Sequence, residues 1–303
     1  MPLAGHHAAL IRDLMISLAV THDVLLLDWL DPRDVPKSCG SFGFEDQIQD
    51  ISAAIQDLPM PGAHVVGICQ SGLPTLTAAA ALACDGTGGQ IQSLTLMGAP
   101  FDPRSHPTNL SRVLGSTARG WIELFDIITL GPNCLGQGRR VYPAASQLKR
   151  IQGYLQRIAK FDNPVRRKLW NDDGLDAEQY PFLKSLTDLK DIPAEAFLDN
   201  IDRSYHHEFG SDDWLSLHGR KLPASYLSEF PILTIEGRED DIVAPGQTSA
   251  IHGLLPRSAG VVRQESVVAD AGHFDLFHGR ICRSIVVPQM LSFFDEVSAS
   301  VAA

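Results

Sequence analysis

The chain has 303 residues, of which 44% are apolar and 20% charged, values typical of a globular protein with a full hydrophobic core. Its formal net charge of −11 argues against nucleic acid as a partner and against electrostatic docking on anionic membranes. The five cysteines are scattered, with no C-x-x-C, which excludes a disulfide scaffold and a structural zinc site and fits a reducing compartment. Neither an apolar run of membrane-spanning length nor a signal peptide is recognisable, so we expect a cytoplasmic protein.

The first 102 residues alternate between predicted helices and strands. An amphipathic helix is expected over about residues 8–19, and the apolar run at residues 22–29 is typical of a strand buried in a parallel sheet. Then come a helix over 45–58, a strand over 64–68, an alanine-rich helix over 70–83 and a strand over 90–97. This α-β-α-β-α-β order predicts a doubly wound, mainly parallel sheet with helices on both faces.

The alternation stops between residues 103 and 228. That stretch has helical segments, several aromatic residues and no convincing strand. Afterwards the pattern resumes with a strand over 231–236, a helix over 246–254, a strand over 261–268 and a last helix over 281–297. We therefore expect one α/β core, formed by residues 1–102 and 229–303, with a helical cap of residues 103–228 inserted into it.

A nucleophile elbow is predicted at Cys69, between a strand and the alanine-rich helix. Gly67 and Ser71 stand two residues to either side, as the tight, strained turn of a G-x-nucleophile-x-small motif requires. The helix that follows presents its first N–H groups to Cys69, which favours a thiolate and makes the N–H of Gln70 an oxyanion donor. A single cysteine at a strand end is more often structural, so this assignment depends on partners elsewhere in the chain.

An acid and a histidine follow two of the later strands. Asp240 comes after the strand over 231–236, and His273 comes after the strand over 261–268. Nucleophile, acid and histidine, in that chain order at strand ends, match the α/β-hydrolase triad. In such a triad His273 takes the proton of the Cys69 thiol and later activates water, while the acid orients the imidazole.

Each triad position has an alternative. Asp241 competes with Asp240, which is favoured because Gly-x-x-Asp is the usual spacing after that strand. His278 competes with His273, which is favoured because a glycine directly before it permits a sharp turn. Ser71 is a rival nucleophile, disfavoured because no glycine stands two residues before it. The paired histidines are adjacent rather than at i, i+4, so we expect no metal and no cofactor.

Several further segments carry a resemblance to a known family. They are Pro2-Leu-Ala-Gly-His6, Cys69-Gln70, Ser93-Leu-Thr-Leu-Met-Gly98, Gly138-Arg-Arg-Val-Tyr-Pro143, Asp240-Asp-Ile242, Gly246-Gln-Thr248 and Gly272-His273. With these segments the chain resembles, over nearly its whole length, the intracellular poly(3-hydroxybutyrate) depolymerases, whose nucleophile is a cysteine in an alanine-rich A/G-x-Cys-Gln motif. The resemblance implies a cysteine-nucleophile α/β-hydrolase that cleaves ester bonds of stored polyester at the granule surface, through an acyl-enzyme.

The resemblance also suggests residues for the oxyanion hole and for the polymer. It matches the family's oxyanion loop to residues 2–6, so Ala4 and Gln70 would be the two donors. The cap would cover the site and guide the polymer, with Trp121 and Phe125 as candidate contacts. For any single aromatic side chain, ordinary helix packing is the simpler explanation.

One departure from the family concerns the N-terminal strands. The family's oxyanion loop follows a central strand, and Met1 stands where that strand would have just ended. We therefore expect the N-terminal strands of the fold to be missing, with a gap of roughly 10 Å, two strand spacings, beside the elbow strand. Three explanations are open: an assigned start that is too late, which we favour, a truncated chain, or direct pairing of residues 22–29 with the elbow strand.

Two other functions compete with depolymerisation. A polyhydroxyalkanoate synthase is similar in fold and also uses a cysteine elbow, but its elbow usually reads Cys-x-Gly-Gly, whereas this chain has Cys69-Gln-Ser-Gly72. The other alternative is a catalytically inactive granule-binding protein that has lost its N-terminal strands.

Overall fold

The first part of the chain forms two parallel strands and the helices around them. The computed structural model describes residues 5–59, 62–256, 258 and 260–302. A 3₁₀ turn over Ala8–Ile11 leads into the first helix. The elements that follow are α1 (Arg12–Leu18), α2 (Phe44–Gln56), β1 (Ala63–Ile68), α3 (Gly72–Cys84) and β2 (Ile91–Met97).

The stretch predicted to be a helical cap holds helices and also short strands. Its helices are α4 (Asn109–Ser116), α5 (Arg119–Asp126), α6 (Ala144–Ile158), α7 (Pro164–Trp170), α8 (Phe182–Thr187) and α9 (Ala194–Ile201). Its strands are β3 (Ile128–Thr129), β4 (Arg140–Tyr142), β5 (Ile192–Pro193), β6 (Ser216–Leu217) and β7 (Arg220–Lys221). They form a three-stranded antiparallel sheet, β3–β4–β5, and a hairpin, β6–β7, so the expectation of no strands there is wrong.

The α/β alternation returns after this stretch. Its elements are β8 (Ile232–Gly237), α10 (Ile251–Leu254), β9 (Arg263–Val268), α11 (Gly279–Ile281) and α12 (Val287–Ala302). The helix predicted over 246–254 is limited to α10, because residues 245–250 form turns. The last helix begins later than predicted, after a π-helical turn over Cys282–Val286.

Four parallel strands make the main sheet, in the order β1–β2–β8–β9. Val65 is paired with Leu94 and Leu96 with Thr234. Because all four strands run in one direction, their carboxyl ends meet at one edge of the sheet. Cys69, the loop after β8 and the loop after β9 therefore lie at the same edge, and the predicted mainly parallel α/β sheet is confirmed.

Both faces of this sheet are covered by helices. Leu94 and Leu96 of β2 are buried in a cluster with residues of α2 and α3, whereas Met97 joins the opposite cluster with residues of α1 and α12. This division follows from the alternation of side chains along a strand. The alanines 78–80 of α3 have no exposed surface, and their small side chains let the helix pack closely.

The predicted strand over residues 22–29 is wrong. This stretch has neither helix nor strand, and Leu25 is 78% exposed. Val24 and Leu26 pack against one core cluster and Leu27 against the other, so the stretch keeps the two-sided burial pattern that predicted a strand. A strand needs a neighbour, and within the described chain β1 pairs only with β2. Direct pairing of residues 22–29 with the elbow strand is therefore also wrong.

A cavity of about 610 Å³ lies beside the start of α3. Its lining takes residues both from the 22–29 stretch and from the turn that follows β1. Its lining includes Leu27, Trp29, Phe42, Gln70, Ser71 and Pro193. Among the described strands, β1 has a ladder partner on one side only, β2.

Candidate active site

Cys69 occupies a strained turn between β1 and α3. Its φ of +52° lies in the left-handed region, which costs a non-glycine residue about 1–2 kcal/mol. A 3₁₀ turn over Cys69–Ser71 connects the strand to α3. Strain of this kind at a strand-to-helix turn is typical of a nucleophile elbow, in which the turn lifts the side chain away from the sheet.

Two glycines make this turn possible. A Cβ on Gly72 would stand 2.4 Å from the Cβ of Ala99, closer than real Cβ atoms approach. A Cβ on Gly67 would stand 3.1 Å from the Cα of Gly72, so the strand and the helix meet almost backbone to backbone. The close approach explains why small residues flank Cys69 in the sequence.

Ser71 holds the elbow from inside. Its hydroxyl donates to the carbonyl of Ile68 at 2.7 Å and accepts the N–H of Ile68 at 2.9 Å. The residue is buried and its hydroxyl proton is already bonded to the backbone. This leaves Ser71 with a role in the turn and argues against it as a rival nucleophile.

The loops after β8 and β9 bring Asp240 and His273 together. Nδ1 of His273 donates to Oδ2 of Asp240 at 2.7 Å, and both side chains are almost completely buried. The other carboxylate oxygen, Oδ1, accepts the N–H groups of Ile242 and Val243, each at 2.8 Å. Because Nδ1 carries this proton, Nε2 is the ring nitrogen left for the thiol of Cys69.

Charge and hydrogen bonding around His273 favour its protonated form. Burial opposes the imidazolium, but the charge of Asp240, then the charge of Cys69, and hydrogen bonds with both side chains outweigh it. The pKa of His273 is therefore raised well above its usual value. A buried imidazolium between a carboxylate and a sulfur is the arrangement that stabilises a thiolate.

Asp241 has different partners from Asp240. Its Oδ1 accepts the hydroxyl of Tyr154 at 2.9 Å, and its Oδ2 accepts the side-chain amide of Asn163 at 3.4 Å. Burial raises the pKa of Asp241, the hydrogen bond from Tyr154 lowers it and the charge of Asp240 raises it, with a net upward shift. The structure thus places the favoured carboxylate of the two, Asp240, against His273.

A known protein family matches most of this chain. The family described as PHB de-polymerase C-terminus matches residues 98–298, about two thirds of the chain. The chain belongs to this family. The matched residues include Asp240 and His273, while the elbow at Cys69 lies before them. A search of curated proteins found no match.

Solved structures of similar fold are α/β-hydrolases. One is a monoacylglycerol lipase of Paleococcus ferrophilus, with 12% identity over 98% of this chain and 92% of that one, at a TM-score of 0.53. Another is a meta-cleavage product hydrolase of Pseudomonas fluorescens IP01, with 16% identity over 97% of this chain and 88% of that one, at a TM-score of 0.50. At these identities the likeness shows the fold, which is that of an α/β-hydrolase.

Of the two predicted oxyanion donors, the structure describes one. Gln70 directly follows Cys69 at the start of the helical turn, where backbone N–H groups lack intrahelical partners. Ala4 lies outside the described residues. The next residue, Gly5, lines the cavity together with Gln70, so the described chain begins close to the elbow.

The two predicted polymer contacts lie on the surface of the cap. Trp121 and Phe125 are 61% and 68% exposed on α5, with stacked rings whose centroids are 5.2 Å apart. Leu124, between them in sequence, is exposed as well. No helix within the described ranges is long and apolar enough to cross a bilayer.

The His278 alternative belongs to a different cluster. With Asp172 and Asp173 it offers ligand atoms within 4.8 Å of one another. The Nζ of Lys168, however, lies 2.9 Å from an oxygen of Asp173 and 2.9 Å from an oxygen of Asp275. The ammonium already supplies the positive charge that a metal would bring, so this cluster is an ion-pair network.

Two supporting residues were missed at the sequence level. Gly98, with φ +52°, leaves room for the imidazole, because a Cβ there would lie 3.0 Å from Cε1 of His273. Glu236 is buried at the end of β8 and accepts the N–H groups of Gly246 and Thr248, at 2.9 and 2.7 Å, with a further bond from residue 249. The signals that could have found them are a glycine at a strand end and an acidic residue inside an apolar strand.

Glu236 links the acid loop to the end of β2. The Thr248 it holds donates its hydroxyl to the carbonyl of Ala99 at 3.0 Å and accepts the N–H of Ala99 at 2.9 Å. The loops after β2 and β8 are thereby fixed to each other beside the imidazole. Such supporting contacts keep catalytic groups within the narrow tolerances that their chemistry needs.

Proposed function

We propose that this chain hydrolyses the ester bonds of poly(3-hydroxybutyrate) stored inside the cell, with Cys69 as nucleophile, His273 as general base and acid, and Asp240 as the orienting carboxylate. The family and the α/β-hydrolase fold support hydrolase activity. The observation that carries the proposal is the 2.7 Å hydrogen bond between Asp240 and His273, at the same edge of the sheet as the strained elbow at Cys69.

Before acylation, the thiol of Cys69 has given its proton to Nε2 of His273. The thiolate attacks the ester carbonyl carbon, and the carbonyl electron pair moves to oxygen, where the N–H of Gln70 stabilises the charge. When the tetrahedral intermediate collapses, the carbon–oxygen bond breaks and Nε2 gives its proton to the leaving alkoxide oxygen, which becomes a hydroxyl group of the released polymer end. The product is a thioester on Cys69.

In deacylation, water replaces the thiolate of Cys69 as the nucleophile. His273, now neutral, takes a proton from water while the hydroxide attacks the thioester carbon. Collapse of the second intermediate breaks the carbon–sulfur bond and releases a hydroxybutyrate unit or oligomer as the acid. Ala4 as a second oxyanion donor remains a prediction from the family resemblance.

The exposed apolar strip on α5 would contact the surface of the polymer. Trp121, Leu124 and Phe125 present apolar side chains to solvent, and amorphous polyester is an apolar surface with few hydrogen-bond donors. We infer a cytoplasmic enzyme at the granule surface, with the cap toward the polymer.

An assay on native amorphous granules tests the proposal. The parent should release 3-hydroxybutyrate and lose this activity on thiol alkylation and in Cys69→Ala, whereas Cys134→Ala, which removes another cysteine, should keep it. Equal hydrolysis by Cys69→Ala and the parent would remove Cys69 as nucleophile. Release of CoA with polymer growth from hydroxybutyryl-CoA would favour the synthase alternative, and granule binding without hydrolysis would favour the inactive one.

A further inference from the structure

The cavity beside the start of α3 adjoins the proposed oxyanion donor. Its volume of about 610 Å³ lies within the range of about 300–1,000 Å³ that is usual for ligand pockets. Gln70, the residue after the nucleophile, lines it together with the apolar side chains of Leu27, Phe42 and Phe197. An ester group bound at Gln70 therefore lies at the boundary of this cavity, and the chain attached to it has an apolar space to enter.

Asn200 contributes an unpaired acceptor to the wall of the same cavity. It lies in the last turn of α9, is only 8% exposed and is one of the lining residues. Its Nδ2 donates to the carbonyl of Ala196 at 2.8 Å and to Oε1 of Gln47 at 3.1 Å, and these two bonds fix the orientation of the amide. Its Oδ1 is buried and has no hydrogen-bond partner within the described part of the chain. An unpaired buried acceptor costs about 1–3 kcal/mol, which a ligand that donates to it recovers.

The indole of Trp29 supplies the complementary unpaired donor. Trp29 also lines the cavity, and its Nε1 is buried without a hydrogen-bond partner among the described residues. An indole N–H suits an ester carbonyl, of which a polyester carries one in every unit. The acceptor on Asn200 is more selective, because the hydroxyl at one end is the only donor of such a chain once the carboxyl end is ionised. The two groups together match the hydroxyl end of the polyester.

The charges of the lining do not suit the carboxylate end. Its two permanent cations are already bonded, Lys190 to Asp28 and to the carbonyl of Trp29, and Arg139 to three backbone carbonyls of residues 35–40. Four aspartates also line the cavity, namely Asp28, Asp50, Asp57 and Asp191. A carboxylate would meet this excess of negative charge without a free cation of the described lining to pair with, whereas a hydroxyl end carries no charge.

We propose that this cavity binds the hydroxyl end of the polyester chain, with Oδ1 of Asn200 accepting the terminal hydroxyl, so that the enzyme shortens the chain from that end. The inference rests on the proposed function and names the part of the substrate that the site selects. The hydroxyl-terminal unit or short oligomer becomes the acyl group on Cys69. The leaving alkoxide takes the proton from His273 and is the new hydroxyl end of the remaining chain, so each turnover regenerates the group that the cavity binds.

Two soluble oligomers of 3-hydroxybutyrate test this selection, one with a free hydroxyl end and one with a butyryl end, in which hydrogen replaces that hydroxyl. The parent should hydrolyse the first with a kcat/KM about tenfold or more above that of the second. Asn200→Ala should hydrolyse both equally. Gln147→Ala is the matched control and should keep the parental ratio, because it removes a buried amide that bonds the carbonyl of Lys190 but is not one of the lining residues. The ratio compares two substrates on one protein, so a partly unfolded variant still gives a valid result.

The order in which products appear gives a second readout on the parent protein alone. In a longer oligomer labelled with an isotope in its hydroxyl-terminal unit, the label should leave with the first short acids. Label that stays in the long chain, equal kcat/KM for the two oligomers, or a ratio that Asn200→Ala preserves would each overturn the inference. If Cys69→Ala is inactive in that case, the proposed function still stands. Hydrolysis that survives in Cys69→Ala would overturn the proposed function and the inference with it.

Discussion

Adjacent carboxylates with different partners give the sharpest residue-scale prediction. Asp240 hydrogen-bonds His273, whereas Asp241 accepts the hydroxyl of Tyr154. Asp240→Asn should therefore lower kcat for ester hydrolysis by about 10²–10⁴-fold, because the amide neither stabilises the imidazolium nor fixes its tautomer. Asp241→Asn should leave kcat near the parent value, and steady-state kinetics of the two variants make the comparison. The reverse ranking would assign the acid role to Asp241.

The substitution Gly98→Ala tests how closely the imidazole of His273 packs against the backbone at residue 98. In Gly98→Ala the new Cβ would lie 3.0 Å from Cε1 of His273 at a φ of +52°, which should cost about 1–2 kcal/mol and displace the ring. We expect a lower melting temperature and a kcat reduced by up to about 10²-fold. Gly153→Ala, in the middle of α6 with open space around it, should instead stabilise the fold by about 0.5–1 kcal/mol. A parent-like kcat in Gly98→Ala would contradict this fit.

At the scale of elements, the absence of a ladder at residues 22–29 has a measurable consequence. Residues 22–29 form no ladder, whereas β2 is paired on both sides, by β1 and β8. In hydrogen–deuterium exchange, peptides covering residues 24–29 should exchange far faster than those covering β2, because unpaired amides need no opening event. Protection of residues 24–29 equal to that of β2 would mean that the stretch is paired in solution.

The same stretch shows where sequence patterns reach their limit. Its apolar run predicted a buried strand, and its side chains do contact both core clusters, but hydrogen bonding depends on a neighbour that the pattern cannot reveal. The strands β1, β2, β8 and β9 were predicted correctly, and in the structure each has a neighbour in the sheet. The local pattern thus indicated contact with the core, but it predicted neither the depth of burial of residues 22–29 nor whether they are paired.

For the candidate site, too, the sequence predicted some residues and missed others. Cys69, Asp240 and His273 could be named from chain order and spacing, because each stands at a strand end. Gly98 and Glu236 left only weak signals in the sequence, since their roles come from contacts with later loops of the chain. Sequence spacing indicates groups at the ends of elements, while the contacts that position them require coordinates.

At the scale of the whole molecule, the cap should determine whether the enzyme meets its polymer. In the double variant Trp121→Ser and Phe125→Ser, loss of two exposed aromatic rings should weaken partition onto amorphous granules by about tenfold or more. Hydrolysis of a soluble ester should remain at the parent level. Trp170→Ser, which removes a still more exposed ring from α7, is the control in a granule sedimentation assay. Equal losses in both variants would mean that no particular face of the cap binds the granule.

The proposed mechanism requires a covalent bond between the acyl group and the sulfur of Cys69. After rapid mixing with an activated 3-hydroxybutyrate ester and an acid quench, peptide mapping by mass spectrometry should find the 3-hydroxybutyryl group on Cys69 of the parent protein. The adduct should be absent from Cys69→Ala. An acyl group on Ser71, or ester hydrolysis that continues in Cys69→Ala, would contradict the assignment of Cys69 as the nucleophile.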